Sequence, residues 1–146
     1  MREPSLSREE LERRLGEAFP EAFNPGSGLS IAQVWHGGAS LRLDYVVGTL
    51  RPGGTVSGPT LMMLADVSVY VALLASIGWE PLAVTTNLNI NFLKKPSPGP
   101  LLSECHMIKL GRSLAVGEVA IRAEGEEDIL AHATSTYSIP PANRQL

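Results

Sequence analysis

Residues 58–78 read Gly-Pro-Thr-Leu-Met-Met-Leu-Ala-Asp-Val-Ser-Val-Tyr-Val-Ala-Leu-Leu-Ala-Ser-Ile-Gly. No glycine or proline follows Pro59 until the last residue, which favours a helix. Ser57 or Thr55 is placed to cap this helix, and the proline suits its first turn. Because the run is apolar on nearly every side, we expect a core helix rather than a surface one.

Asp66 is the only carboxylate in this run. An unpaired carboxylate in a protein core costs several kcal/mol or takes up a proton. One interpretation is that a core hydroxyl or amide satisfies it. The other is that the carboxylate is functional, and we favour this one because lone ionisable groups in apolar sites are disproportionately functional.

The composition sets the class of protein. A chain of 146 residues suits one domain with a substantial core, and 44% hydrophobic with 18% charged residues indicates a globular protein. A net charge of −3, without a basic cluster among aromatics, argues against a nucleic-acid partner. The single cysteine, Cys105, excludes an internal disulfide and thiolate-rich zinc sites. The three histidines lack metal-ligand spacing, so we expect neither a metal nor a cofactor.

The sequence also bears on location. The first residues, Met1 to Leu11, are highly charged where a secretory signal needs an apolar stretch. The apolar run is about as long as a membrane span, but Asp66 interrupts it and strand-like sequence surrounds it. We therefore expect a cytoplasmic protein with no membrane partner.

Strand patterns surround the long helix. A short amphipathic helix over about residues 7–19, capped by Ser7, comes first, and strands at 29–35 and 40–47 follow around a His36-Gly-Gly turn. Four more strands are predicted after the long helix, at residues 82–92, 101–110, 114–123 and 128–138. Short turns between strands make them antiparallel.

This order predicts an α+β fold. One long central helix and a curled, mostly antiparallel sheet bury each other's faces best if the sheet wraps around the helix, which is the hotdog arrangement. We expect a single domain over residues 1–146, with a core at about 29–139 and a frayed tail at 140–146.

Three segments resemble PaaI-like hotdog acyl-CoA thioesterases. Gly54-Thr-Val-Ser-Gly-Pro-Thr-Leu-Met-Met-Leu-Ala-Asp resembles that family's Gly-Thr-hydrophobic-His-Gly-Gly, six variable residues, then Asp. Val84-Thr-Thr-Asn-Leu-Asn-Ile-Asn-Phe-Leu-Lys-Lys-Pro resembles the strand after its helix, and Lys109-Leu-Gly-Arg-Ser-Leu its Lys-x-Gly-(Arg/Lys)-x-Leu turn. The resemblance runs in one register from Leu41 to Ser138. It implies a hotdog fold and acyl-CoA hydrolysis.

The resemblance also implies roles for single residues. Asp66 falls on the family's carboxylate, a general base or nucleophile toward the thioester. Gly58 falls on the glycine whose backbone N–H holds the thioester oxygen, and Thr85 on a Ser or Thr that helps place the water. Three positions depart from the pattern: Arg51 stands for an Asn or Gln, Ser57 for the His, and Pro59 for the second Gly. These departures keep open a second hypothesis, a hotdog module that binds acyl-CoA without cleaving it.

Spacing predicts how the site assembles. Gly58 and Asp66 lie eight residues apart, or about 12 Å along one helix at 1.5 Å per residue, whereas both must approach one reacting centre within about 3.5 Å. Two antiparallel helices from two subunits can bring them together. We therefore expect a homodimer or a dimer of dimers with shared sites, inactive as a lone subunit.

The remaining candidates concern substrate binding. Strict alternation places Thr85 on the strand face of Asn87, Asn89 and Asn91, away from the site unless a bulge reorients it. Met62 favours an apolar acyl pocket. Several cations lie near turns, where they either keep the surface hydrated or contact coenzyme A phosphates. These cations are Arg51, Lys94, Lys95, Lys109 and Arg112.

Overall fold

The structure is a computed structural model that describes residues 2–44 and 56–141. Its elements in chain order are α1 (Arg8–Ala18), β1 (Leu29–Trp35), β2 (Gly38–Leu43), α2 (Gly58–Ile77), β3 (Val84–Phe92), β4 (Leu101–Leu110), β5 (Leu114–Ala123) and β6 (Ile129–Ser138). Every predicted helix and strand is present.

Strand β2 differs most from its prediction. It begins at Gly38, not at residue 40, and its described part ends at Leu43. The turn is therefore only His36-Gly37, with Trp35 paired to Gly38. A Cβ at Gly38 would lie 2.3 Å from the Trp35 ring, so only glycine fits where the strand resumes. The predicted end of this strand at residue 47 lies outside the described residues.

All six strands form one antiparallel sheet in the order β1-β2-β4-β5-β6-β3. Helix α2 packs on one face, mainly against β2, β4 and β5. The α+β hotdog prediction is confirmed, with a sheet that stays open, so that β1 and β3 are its edges. An edge strand presents unpaired backbone N–H and C=O groups, which makes β3 a surface suited to pairing.

Helix α1 begins as predicted. The Ser7 hydroxyl accepts a hydrogen bond from the Glu10 N–H at 3.1 Å, and Leu11 and Leu15 are fully buried. At the other end of the helix the Phe19 ring meets Tyr70 of α2 edge-on, with 6.3 Å between centroids. The N-terminal segment therefore covers part of α2 on the side away from the sheet.

Helix α2 is capped by Ser57, as predicted. Within the described residues it is the one helix long and apolar enough to cross a membrane, and 72% of its most apolar window is buried inside the fold. The expectation of a core helix is confirmed over most of its length, whereas Met62 and Met63 in its first turns are 39% and 36% exposed.

Candidate active site

The Asp66 carboxylate is held by two hydroxyl groups. Thr85 Oγ1 donates a hydrogen bond to Asp66 Oδ1 at 2.6 Å, and the Tyr137 hydroxyl lies 2.9 Å from the same oxygen. The Tyr137 hydroxyl also lies 3.0 Å from the Asp66 backbone carbonyl. Asp66 is partly exposed in the single chain. It is therefore a tethered carboxylate at a surface cleft, not the fully buried one that the apolar run predicted.

A β-bulge turns Thr85 toward α2. In the pairing of β3 with β6, Thr85 lies opposite Tyr137 and Asn87 opposite Thr136, so Thr86 is the extra residue. The prediction from strict alternation, which placed Thr85 with the asparagines, is wrong because the bulge reverses the facing of the residues before it. Thr85 thus reaches Asp66, while Asn87 keeps its outward position.

Tyr137 was not a candidate from the sequence. Its ring is buried and stacks on Tyr70 with 5.9 Å between centroids. Burial raises the pKa of the Tyr137 hydroxyl, so it remains a protonated donor. Alternation in β6 could have indicated it, because Tyr137 follows Ala131, Ala133 and Ser135 on the inward face, and a buried tyrosine hydroxyl needs a partner.

An apolar cleft of about 550 Å³ opens beside Asp66. Its walls come from the end of α1, the middle of α2, the segment before β3, and the paired residues Thr85 and Tyr137. Lining residues include Phe19, Val67, Tyr70, Leu82 and Val84. Asp66 is the one charged side chain lining it within residues 2–44 and 56–141.

At the start of α2, one backbone N–H donates no hydrogen bond within the described residues. The Thr60 N–H donates to Ser57 Oγ at 3.3 Å, and Pro59 has no N–H. No acceptor for the Gly58 N–H lies among the described residues. Unpaired N–H groups at a helix start, together with the helix dipole, favour a developing negative charge. Gly58 therefore has the properties of an oxyanion contact.

Gly58 lines a second cleft, of about 480 Å³. Phe92 and Leu93 at the end of β3 form one wall, and Lys94 and Lys95 lie at its rim. This cleft shares no lining residue with the cleft at Asp66. In one chain, then, the carboxylate and the helix start face separate spaces, as the 12 Å spacing along a helix requires.

The cations are spread over the surface. Lys94 Nζ donates to Asp128 Oδ2 at 3.1 Å, and this bond raises the pKa of Lys94. Lys109 and Arg112 are exposed around the β4–β5 turn, away from the Gly58 cleft. Arg51 lies outside the described residues. Of the predicted substrate-binding cations within the described residues, Lys94 and Lys95 therefore line the Gly58 cleft, whereas Lys109 and Arg112 do not.

Residues of the kinds that bind metals do not cluster in the described part of the chain. In residues 2–44 and 56–141, no group of three or more His, Cys, Asp or Glu side chains is arranged to bind one. His106 pairs with Glu104 at 2.7 Å and His132 with Glu118 at 3.3 Å on the exposed sheet face. Cys105 is fully buried, and burial raises the pKa of its thiol to about 12, which keeps it protonated.

Comparison with known proteins agrees with this architecture. The family model of the thioesterase superfamily matches residues 53–130. A crystal structure from Silicibacter sp., whose thioesterase assignment is provisional, is 45% identical, with 95% of each chain covered and a TM-score of 0.86. Among curated proteins, none matches significantly.

More distant structures share the fold. Zebrafish thioesterase superfamily member 2 is 20% identical over 93% of this chain and 100% of its own, with a TM-score of 0.81. A mutant of the phenylacetic acid degradation protein PaaI from Thermus thermophilus is 21% identical over 83% of this chain and 99% of its own, with a TM-score of 0.71. The family match over more than half of the chain, and the 45% identity over nearly all of it, place this protein in the thioesterase superfamily, as a thioester hydrolase with a PaaI-like hotdog fold.

Proposed function

We propose that this thioester hydrolase acts on acyl-CoA at a site shared between two protomers. Asp66 of one protomer activates a water or attacks the thioester carbon itself, and the Gly58 N–H of the other binds the oxygen that becomes an oxyanion. A twofold arrangement gives two such sites per dimer. The products are a free acid and coenzyme A.

The observation that carries this proposal is the separation of the two clefts. A carboxylate with a free face lies in one, and an unpaired helix-start N–H lies in the other. Neither cleft contains both groups that thioester hydrolysis needs. An antiparallel partner helix would bring the second group to each carboxylate.

The surface around both clefts supports a partner copy. Among the described strands β3 is a sheet edge, and Leu82, Val84, Phe92 and Leu93 at its ends are more than half exposed. Met62 and Met63 extend this apolar area along α2. Edge pairing of β3 with its copy would join the two sheets and set the two α2 helices side by side.

The cleft chemistry suggests how acyl-CoA lies. The apolar cleft at Asp66 suits an uncharged acyl group, because its one charged lining group within the described residues is the reacting carboxylate itself. Lys94 and Lys95 at the rim of the other cleft are placed to meet phosphates, and Lys109 and Arg112 are further candidates. Lys94 would exchange Asp128 for phosphate on binding.

A second candidate function is acyl-CoA binding without cleavage. The observation favouring it is Pro59, which removes a donor from the helix start and leaves the oxyanion to Gly58 alone. The cytoplasmic location and the absence of nucleic-acid and membrane partners stay predictions.

One assay tests the proposal. Purified protein is offered short, medium, long and aromatic acyl-CoAs, and thiol release is followed with the wild type and with Asp66→Asn. We expect turnover by the wild type and a loss of about 10²- to 10⁴-fold in the variant, the usual contribution of a catalytic base. Binding of acyl-CoA without turnover would favour the binding module. Full activity of Asp66→Asn would reject the site.

A further inference from the structure

The two oxygens of the Asp66 carboxylate have different surroundings. Oδ1 is approached by both the Thr85 and the Tyr137 hydroxyl, at 2.6 and 2.9 Å. Residues 2–44 and 56–141 form no hydrogen bond with Oδ2. A carboxylate oxygen has about two lone-pair sites, and both hydroxyls approach those of Oδ1, with the single Tyr137 proton shared between Oδ1 and the Asp66 carbonyl.

The sheet holds the two hydroxyls in fixed positions. Thr85 and Tyr137 lie opposite each other on the paired strands β3 and β6, whereas Asp66 lies on α2. The Tyr137 hydroxyl spans the Asp66 carbonyl and Oδ1, so it fixes the side chain relative to its own backbone as well as to the sheet. The Tyr137 ring cannot move freely, because it is buried and stacked on Tyr70.

We propose that Tyr137 is a positioning residue that, together with Thr85, holds Oδ1 and leaves Oδ2 as the reacting oxygen. This inference rests on the proposed function. If Asp66 is a base, Oδ2 takes a proton from a water whose oxygen bonds to the thioester carbon, and that proton goes to the departing thiolate as the C–S bond breaks. If Asp66 is the nucleophile, Oδ2 bonds to the carbon and the thiolate leaves. Water then hydrolyses the resulting anhydride to the free acid and the Asp66 carboxylate, and the proton that this releases goes to the thiolate.

Tyr137→Phe removes the hydroxyl and keeps the stacked ring. Because a hydrogen bond to a charged group is worth about 1.5–3 kcal/mol, we expect kcat to fall about 10- to 100-fold. KM should change little, since Tyr137→Phe keeps the ring that lines the cleft and removes only the hydroxyl that bonds to Asp66. The scatter of such assays is about twofold. A kcat within that range of the wild-type value would overturn the proposal.

Ser68→Ala is the matched control. Ser68 is a fully buried residue on the same helix, and its hydroxyl bonds to the Leu64 carbonyl and to Ser103 Oγ, both at 2.6 Å. It contacts neither cleft. We expect a lower melting temperature with kcat unchanged. If kcat falls as far as in Tyr137→Phe, the tyrosine acts only through stability and the proposal is wrong.

A crystal structure of Tyr137→Phe gives a readout that does not depend on turnover. We expect the Asp66 carboxylate to adopt a second rotamer in which Oδ1 no longer meets Thr85. An unchanged carboxylate would overturn the positioning role.

A wild type inactive on every acyl-CoA would refute the proposed function alone, whereas an active wild type with an equally active Tyr137→Phe would refute this inference alone.

Discussion

The two halves of α2 have similar apolar composition, but only the second is buried throughout. In the half after Asp66, every residue from Val67 to Ser76 is buried. In the first half, Met62, Met63 and Asp66 all retain access to solvent. The exposed half is also the one that carries the candidate catalytic groups. Sequence composition alone therefore does not separate the part of the helix that stabilises the fold from the part that builds the site.

The N-terminal segment explains the difference. The Phe19 ring packs on Tyr70 of the second half, and the Ser5 N–H and hydroxyl donate to the Ala75 and Ser76 carbonyls at 2.7 and 3.0 Å. Nothing described in the chain covers the first half in the same way. In the proposed dimer a second copy of α2 covers the first half. Substitutions in the two halves should therefore have different effects.

The largest effect should come from moving the proline at the helix start. The double variant Gly58→Pro with Pro59→Ala removes the N–H at position 58 and creates one at 59. Proline is accepted at the first helical position, and Ser57 already has the extended conformation, ψ 152°, that a following proline requires. We expect kcat to fall about 10²- to 10³-fold, the usual loss for one oxyanion donor. Pro59→Ala alone keeps the Gly58 N–H and is the control.

The same variant tests whether the site is shared. Mixed with Asp66→Asn and allowed to exchange subunits, it forms hybrid dimers in which one of the two sites has both an intact Asp66 and an intact Gly58. Random exchange makes half of the dimers hybrid, so activity should recover to about a quarter of the wild type. No recovery, despite exchange confirmed by native mass spectrometry, would contradict the shared site.

A pair of substitutions compares the two halves directly. Leu73→Ala in the buried half should destabilise the fold by about 2–5 kcal/mol, the usual cost of a core cavity, measured by urea unfolding. Met63→Lys in the exposed half should leave the protomer folded, because a surface lysine keeps its charge in water. It should instead give monomers in sedimentation and abolish acyl-CoA turnover. A dimeric, active Met63→Lys variant would mean that this surface has another role.

The sequence predicts the framework well where its pattern is regular. Strands β4 and β5 have the predicted bounds, 101–110 and 114–123, because turn residues bracket each of them. The bounds of β2 were less accurate, since the Trp35 ring and Gly38 decide where the strand resumes, and that contact is tertiary.

The site was predicted only in part, for reasons that are also tertiary. Asp66 and Gly58 are visible from the run of residues that contains them. The bulge at Thr86 has no local signal, yet it alone brings Thr85 to the carboxylate. Tyr137 lies 71 residues from Asp66, so only the closing of β6 against β3 reveals their hydrogen bond.

The Cys105 thiol indicates whether water reaches the buried half of α2. A Cβ added at Gly117 would lie 3.3 Å from both Cys105 Sγ and Val69 Cγ1, so the thiol belongs to the same layer as the buried half of α2. Burial raises its pKa from 9.0 to about 12. The unfolded chain releases the proton first, so the stability contributed by the protonated thiol is present below pH 9 and is lost as pH rises toward 12.

Urea unfolding of the wild type and of Cys105→Ala between pH 8 and 11 measures this loss of stability. Above the pKa of the thiol in the unfolded chain, we expect the free energy of unfolding of the wild type to fall faster than that of the variant, by up to about 1.4 kcal/mol per pH unit. Equal slopes would mean that water reaches this layer. A thiol placed in the exposed half by Met63→Cys, in a chain that also carries Cys105→Ala, completes the comparison. It should react with a thiol reagent rapidly when the protein is dilute and slowly when it is concentrated, because a partner copy covers that end of the helix in the proposed dimer.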